Sequence, residues 1–379
     1  MDFNLTEEQQ LIQQNAREFA LEYVEPVAAE LDKTGRYPKE LVDKMVELDF
    51  MGICYPPEYS GAGADYLSYI LVLEQICRSC ASTGIIYSAH VSLSSFPIYN
   101  WGSEELKQKY LVPMCKGEKL GAFALTEPGA GTDAGSGQCT AKLDGEEYVL
   151  NGTKCFITNG GVADVYIVFA LTDPTAGTKG ISAFVVDAGV PGFEIGKHED
   201  KMGIRGSQTT ELIFKNCRIP KANLLGKEGK GFGIAMTTLD GGRIGVATQA
   251  LGIAQAALDE AVKFAKERVQ FGKPIAKNQA IQWMLAEMAT QLEAARLLVY
   301  HAAMLKEEGK PYSKEAAMAK MFASEASDWI CNRAIQIHGG YGFIKDFKVE
   351  RLYRDSKITT IYEGTNEVQR MVISGAVLR

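Results

Sequence analysis

The chain has 379 residues, 46% hydrophobic and 23% charged, the composition of a globular protein and not of a disordered, collagen-like or coiled-coil one. Forty basic against 47 acidic residues leave a formal charge of −7 with no basic block. That excludes nucleic acid as the expected partner, because counterion release needs clustered Lys and Arg. No apolar run approaches the roughly 18 residues of a membrane span, and the best, Tyr166 to Leu171, is strand-sized.

At roughly 100–200 residues per domain, two or three domains are expected. The N-terminal MDFNLTEEQQ lacks the order of a signal peptide and the Arg-rich character of a transit peptide, and the C-terminal AVLR matches no address signal. A cytoplasmic protein is the expectation. Residues 1–120 read as helices. Thr6-Glu-Glu-Gln9 is a capping box that opens an amphipathic run through Leu11, Ile12, Ala16, Phe19, Ala20 and Tyr23. Helical text ends near Leu111.

Residues 121–228 read as a β-domain. Asp144-Gly145 predicts a hairpin between TAKL and EEYVL, and Asn151-Gly152 a second between EEYVL and TKCFIT. DVYIVFAL, ISAFVVD and TTELIF follow, for an antiparallel sheet. From 229 to 379 the text is helical again. Leu251, Ala254, Leu258, Ala261, Ala265 and Val269 recur at three- and four-residue steps, and 278–308 and 313–337 repeat the style. This predicts a bundle of long antiparallel helices.

The eight cysteines are too sparse for a disulfide scaffold in a chain of this length. Cys77 and Cys80 form a CxxC, but it sits in helical text with no second ligand pair, so packing is expected. The four histidines show no metal-ligand spacing, and no metal is expected. Gly129-Ala-Gly131-Thr-Asp-Ala134 fits a loose GxGxxA. A dinucleotide fingerprint requires a strand before it and a helix after it, whereas hairpin text follows. Gly226, Gly229, Gly231 and Gly233 have the wrong spacing.

Four elements carry a resemblance. Thr126-Glu-Pro-Gly-Ala-Gly-Thr-Asp133 is similar to a signature of the acyl-CoA dehydrogenase family. Gln336-Ile-His-Gly-Gly-Tyr-Gly342 with Arg354-Asp355 resembles its second signature. Arg268-Val-Gln-Phe-Gly272 and Ile361-Tyr-Glu-Gly-Thr-Asn-Glu367 look like two more. They stand in the family's order and span essentially the whole chain. Leu239-Asp-Gly-Gly-Arg-Ile-Gly245, Gln249-Ala-Leu-Gly-Ile-Ala254 and Lys314-Glu-Ala-Ala-Met-Ala-Lys320 point to its short-chain (butyryl-CoA) branch.

The resemblance implies an α+β fold: an N-terminal helical domain, a central antiparallel β-domain and a C-terminal long-helix bundle. It implies α,β-dehydrogenation of short-chain acyl-CoA thioesters, with FAD taking the β-hydride, since no side chain can accept one. An electron-transfer flavoprotein is the implied electron partner, and a homo-oligomer, a dimer of dimers, the implied assembly.

Glu363 is the implied base for the α-proton. It directly precedes helical text, and Gly364 beside it leaves room for substrate. Burial beside an acyl chain should raise its pKa. Some family members place the base instead on the LDGGR helix; that slot is Gly242 here, which cannot act. Phe123, Leu125, Thr126 and Thr132 match one flavin-binding segment, and Phe156, Ile157 and Thr158 the next. Many relatives carry Trp where this chain has Phe156, which leaves open how far the flavin edge is exposed. Arg268 matches a pyrophosphate contact. Gln279, Gln336, Gly339 and Gly340 match residues that reach a neighbouring subunit's FAD. Thr365, Asn366 and Glu367 match the last FAD segment, at a helix start whose free N–H groups suit an anion. Asp240 and Arg243 match the CoA-contacting pair, three residues apart on one helical face. Thr132, Tyr362 and Gly364 are expected near the thioester or pantetheine.

Two other readings use the same fold. One passes electrons to oxygen, as oxidases and flavin monooxygenases do; family oxidases are usually longer, so length disfavours it. The other is a binding protein without dehydrogenase activity, disfavoured by the acidic charge and by Glu363. Acyl length is left open; it depends on residues around 85–100 and 240–255.

Overall fold

The computed structural model describes residues 4–379, so the reading of Met1, Asp2 and Phe3 falls outside it. The capping box forms as the sequence predicts. Thr6 Oγ1 accepts from the Gln9 backbone N–H, and the Gln9 side chain accepts from Thr6 N–H. It opens α1 (Glu7–Phe19). There follow α2 (Ala28–Thr34), α3 (Lys39–Glu47), α4 (Tyr66–Ser79) and α5 (Ala81–Ser88). A π-helical stretch over Ala89–Ser95 leads into α6 (Phe96–Trp101), and α7 (Glu104–Leu106) and α8 (Val112–Cys115) close the first part. Helix thus runs past Leu111.

The β-part comprises β1 (Gly121–Ala124), β2 (Thr140–Asp144), β3 (Glu147–Thr158), β4 (Val165–Leu171), β5 (Ile181–Asp187), β6 (Phe193–His198), β7 (Thr209–Pro220) and β8 (Leu224–Leu225). Their order is β6-β7-β3-β2-β4-β5-β8, with β1 beside β4. Most pairs are antiparallel, but β1 and β2 each run parallel to β4. Asp144-Gly145 makes the predicted hairpin, with Asp144 paired to Glu147. Asn151-Gly152 does not. β3 continues through it, pairing with β7 on both sides of a bulge. Gly152 is required there for close approach, since a Cβ would fall 2.8 Å from the Cys139 Cα. The Asn151 side chain caps the bulge by accepting from Asn216 N–H.

The apolar run of β4 is explained by burial on both faces. Val165, Ile167 and Phe169 join the helical core, while Tyr166, Val168 and Ala170 face a second core with Phe184, Leu212 and Phe214.

The C-terminal part is built on α9 (Gly231–Glu267), which is enclosed over every residue from Gly241 to Ala254. A helix buried all round carries apolar or small residues on every face, and this one does. It ends before Val269, which the sequence pattern placed in the helix. Val269 lies instead in a short ribbon of β9 (Val269–Gln270) and β10 (Lys273–Pro274) and is exposed. Next come α10 (Gln279–Glu307), α11 (Ser313–His338), α12 (Lys348–Lys357) and α13 (Asn366–Val377).

Polar contacts fix the parts against one another. Buried His90 accepts from Gly121 N–H through Nδ1 and faces the Met114 carbonyl through Nε2, and burial pushes its pKa down to about 4. The neutral ring therefore ties the helices to β1. Asn159, after β3, donates to the Ile86 and Gly121 carbonyls. Arg354 on α12 pairs with Asp32 at 2.7 Å, and Asp355 accepts from Ile204 N–H.

Cys77 and Cys80 are buried free thiols, and no His, Cys, Asp and Glu cluster among the described residues suits a metal. No described helix is long and apolar enough to cross a membrane.

Candidate active site

Between α12 and α13 the chain makes a 3-10 turn over Ile358–Thr360 and then a loop carrying Tyr362, Glu363 and Gly364. Glu363 has φ 54° and Gly364 φ 90°, both in the left-handed region. For a glutamate that conformation costs on the order of 1 kcal/mol and persists only when the surroundings impose it. Several groups impose it here. Gln369 on α13 donates to the carbonyls of Glu363 at 3.2 Å and Gly364 at 2.8 Å. Lys320 on α11 also donates to the Gly364 carbonyl, at 2.9 Å. The Tyr362 hydroxyl bonds to the side chain of Gln249 on α9, and Gln249 donates to the Ala81 carbonyl.

The Glu363 side chain is half-buried, but its Oε2 is shut off from solvent and has no hydrogen-bond partner. It faces the Gly242 backbone and Leu93; a Cβ on Gly242 would overlap Oε2. The two positions at which the sequence reading allowed a base thus converge on one space, and glycine at the second admits the carboxyl of the first. Desolvation pushes the Glu363 pKa up to about 8, against the opposing charges of Arg243 and Lys320. The expectation of a raised pKa holds.

Arg243 is buried on α9 and bonds Asp240 at 2.5 Å, while its Nε finds no partner. Asp240 also accepts from Ser313 and is held above the usual carboxylate range by burial. The i,i+3 pair is therefore a real contact, with a free donor left over.

Two segments predicted to contact flavin lie side by side. Phe123 and Leu125 are half-buried at the end of β1, and the Phe123 ring packs 5.0 Å from Phe169. Thr126 follows; its carbonyl accepts from Cys155 N–H at 2.9 Å, joining the first segment to the second. Beneath them, Glu127 and Lys154 form a buried ion pair at 2.6 Å. Lys154 also donates to the Leu125 carbonyl, and Glu127 accepts from Gln138 and Cys139 N–H. Phe156 sits at a second register shift of β3 with φ 58°, and its ring is 65% exposed. Ile157 is buried, Thr158 half-buried and Thr132 exposed. Only a 3-10 turn over Ala134–Ser136, and no α-helix, follows the Gly129–Ala134 loop, and a Cβ on Gly129 or Gly131 would meet nothing within 4 Å.

Thr365, Asn366 and Glu367 stand with the Glu363 loop. Asn366, the first residue of α13, is buried and accepts from Lys320 at 2.9 Å. Glu367 is exposed, and hydrogen bonds from its own N–H and from Thr365 hold its pKa below the usual range.

The other predicted cofactor residues lie elsewhere. Arg268, Gly339 and Gly340 line a cleft of about 430 Å³ with Phe264, His338 and Tyr341. The Arg268 guanidinium lies 5.2 Å over the Tyr341 ring and has no carboxylate partner among the described residues. Gly339 (φ 60°) ends α11, as a glycine after a helix does. Gln336 and Gln279 are exposed, at the end of α11 and the start of α10. Twenty-five residues of α9 separate Arg243 from Arg268, roughly 37 Å at the α-helical rise. The Arg268 cleft is therefore remote from the Arg243 and Glu363 side of α9.

The residues present fit FAD. An exposed aromatic ring, open glycine loops, a helix start at Asn366 and an arginine without an acid partner suit an aromatic ring system carrying a pyrophosphate. The sequence reading quoted Lys320, Gln249 and Glu127 within motifs but gave no role to them, to Gln369 or to Lys154. The available signal for Lys320 was a lone charge in the alanine-rich AAMAKMFA of α11.

Comparison with known proteins gives a concordant result. The N-terminal, middle and C-terminal domains of acyl-CoA dehydrogenase match residues 6–118, 122–217 and 229–378. The chain is 56% identical to a short-chain specific acyl-CoA dehydrogenase of Clostridium acetobutylicum, over all of both chains. It is 53% identical to an acryloyl-CoA reductase (NADH) of Anaerotignum propionicum, over all of this chain and 96% of that one. Among solved structures, butyryl-CoA dehydrogenase of Megasphaera elsdenii superposes with a TM-score of 0.99 at 53% identity, covering both chains fully. A chain from the structural study of the Acidaminococcus fermentans electron transferring flavoprotein, directed at flavin-based electron bifurcation, superposes with a TM-score of 0.99 at 59% identity, again over both chains fully. The prolyl acyl carrier protein oxidase AnaB matches too, with a TM-score of 0.95 at 34% identity over 99% of this chain and all of that one. Length therefore does not disfavour an oxidase as the sequence reading held. The matching family consists of FAD-binding flavoproteins. All three of its domain profiles, in order, and more than half of the residues of a full-length relative place the chain in the acyl-CoA dehydrogenase family.

Proposed function

We propose that this chain interconverts short-chain acyl-CoA and 2-enoyl-CoA thioesters, butyryl-CoA and crotonyl-CoA foremost, with Glu363 handling the α-proton. The carrying observation is the Glu363 carboxyl: desolvated, without a partner on Oε2, and fixed against Gly242 by a loop held from α9, α11 and α13. Bound FAD would supply the hydride acceptor. Phe123, Leu125, Thr126, Thr132, Phe156, Ile157, Thr158, Thr365, Asn366 and Glu367 would hold it from one chain. Arg268, Gln279, Gln336, Gly339 and Gly340 would do so from a neighbour in a dimer of dimers.

The chain's own residues do the rest. Asp240 and Arg243 orient the CoA moiety, with the Arg243 Nε left unpaired as a donor for it. Leu93 and the aromatic side chains of α4 exclude water from the acyl end. Glu363 removes the α-proton when ionised and returns it when protonated. The reductive direction has its own support. An acid with a pKa of about 8 is mostly protonated at neutral pH, and the Anaerotignum propionicum relative is a reductase. The electron partner would be an electron-transfer flavoprotein, and the location the cytoplasm.

The test is anaerobic mixing of the purified holoprotein with butyryl-CoA, following the flavin absorbance, for the wild type and Glu363→Gln. The variant keeps size and hydrogen bonding but loses the basic oxygen. Bleaching should slow by at least the roughly 10²–10⁴-fold typical of lost acid–base catalysis, with FAD retained. Bleaching at the wild-type rate would remove Glu363 from the reaction.

A further inference from the structure

Lys320 lies in the middle of α11 with no solvent exposure. A buried ammonium is tolerated only where it is hydrogen-bonded and faces opposite charge. Its Nζ donates to the Gly364 carbonyl and to Asn366 Oδ1, both at 2.9 Å. These acceptors are the residue after Glu363 and the first residue of α13. Gln369, fully buried one turn into α13, meets the same Gly364 carbonyl from the other side. Two helices thus grip a loop whose backbone is left-handed at two consecutive residues. Ser324, one turn along α11, bonds Asn366 at 3.2 Å and completes the seat.

The charges around the Glu363 carboxyl come from few elements. Arg243 faces it from α9 and Lys320 from α11. The neutral hydroxyls of Tyr66 and Tyr69 lie on its α4 side, and Tyr362 precedes it in the loop. Asp240 engages Arg243, and with it part of that positive charge. Lys320 makes no ion pair within 4.0 Å among the described residues. Burial lowers its own pKa to about 8; the charges of Glu363 and, less, of Glu367 on α13 and Glu325 on α11 oppose that shift, and Arg243 on α9 adds to it.

We propose that Lys320 is a positioning residue of the reaction: its ammonium clamps the loop that presents Glu363 and supplies one of the two positive charges facing the carboxylate. The inference rests on Glu363 being the proton acceptor. Its consequence has a definite sign. Without the ammonium the carboxylate loses a favourable neighbour, so Glu363 ionises at higher pH and the oxidative rate is lost over a wider acidic range.

The test uses holoenzyme carrying Lys320→Met, Lys320→Gln or Lys320→Arg. Two readouts run across the pH range on either side of neutrality. One is the rate of flavin bleaching by butyryl-CoA. The other is the infrared C=O band of the protonated Glu363 carboxyl, identified by its absence in Glu363→Gln and independent of turnover. Lys320→Met should move both titrations up by about one pH unit, which slows bleaching about tenfold on the acidic side. Lys320→Gln keeps a donor without the charge. It should recover rate on the alkaline side while the titration stays displaced. Lys320→Arg should return the titration towards the wild type. A wild-type carboxyl titration in Lys320→Met and Lys320→Gln overturns the proposal. If the Met variant fails to fold or to hold FAD, the Gln and Arg variants decide by the same criterion. Wild-type bleaching by Glu363→Gln defeats the proton-acceptor assignment itself, an outcome distinct from any result at Lys320.

Discussion

At the scale of the residue, the two directions of the reaction ask opposite things of Glu363. Oxidation needs the carboxylate, and reduction needs the acid. With the pKa raised to about 8 by desolvation, the oxidative rate should climb as pH rises through that value. The reductive rate should fall through the same value. Both limbs are measurable on one preparation, with a dye acceptor and butyryl-CoA in one direction and a reduced dye with crotonyl-CoA in the other. Limbs that run the same way would assign the titration to another group. Gly242 offers a steric test of the same geometry. Glycine inside a helix costs about 1 kcal/mol relative to alanine, so Gly242→Ala gains that much from propensity. A methyl there would overlap Glu363 Oε2 and fall 2.6 Å from Leu93 Cδ2, and overpacking of that kind costs about 1–3 kcal/mol. The steric term wins at the carboxyl. We expect Gly242→Ala to retain FAD and to bleach at least about tenfold more slowly; an unchanged rate would place the carboxyl elsewhere.

At the scale of the element, the join between β1 and β3 depends on a pair that the chain brings from 27 positions apart, Glu127 and Lys154. The pair is almost fully buried, so removing one partner strands a charge. Lys154→Met should cost about 3–5 kcal/mol in urea unfolding and weaken FAD retention, because Thr126 and Phe156 lose their common support. Glu127 stands inside a recognisable signature, yet nothing along the sequence names Lys154 as its partner. The same limit explains the other gaps. The Glu363 loop was legible because a motif, a glycine and a helix start coincide in Tyr362–Asn366. Lys320 was not, since an alanine-rich helix does not say which loop a lysine in its middle meets. Asn151-Gly152 carried the local chemistry of a turn. It became a bulge because β7 pairs on both sides of it, and Gly152 was required by the approach of Cys139. Val269 kept the helical spacing but lies past the C-terminus of α9, where Arg268 has already turned extended.

At the scale of the whole molecule, the predicted cofactor residues fall into two groups, one reaching the Glu363 loop against the buried middle of α9 and one past its C-terminus at Arg268. The Glu363 end is enclosed by the chain itself. The Arg268 end is open, and large apolar side chains surround it: Phe271 is fully exposed, Phe343 88% and Val269 52%. An apolar patch of this kind beside an unpaired arginine marks an interaction face. A second copy of the chain would cover it and bring Arg268, Gly339 and Gly340 to the cofactor of the first. Cofactor binding and assembly are then one linked equilibrium, and dilution acts on both. We expect FAD release, read by the rise of free-flavin fluorescence, to track the fall in mass by light scattering as the protein is diluted. Added FAD should shift both transitions to lower protein concentration. Arg268→Gln should loosen FAD by the roughly 1.5–3 kcal/mol of a charged hydrogen bond, about ten- to a hundredfold in affinity, without altering the pH at which Glu363 titrates. A monomer that keeps FAD at every dilution would show that the Arg268 cleft serves no cofactor, and the two groups of residues would have to be assigned to separate tasks.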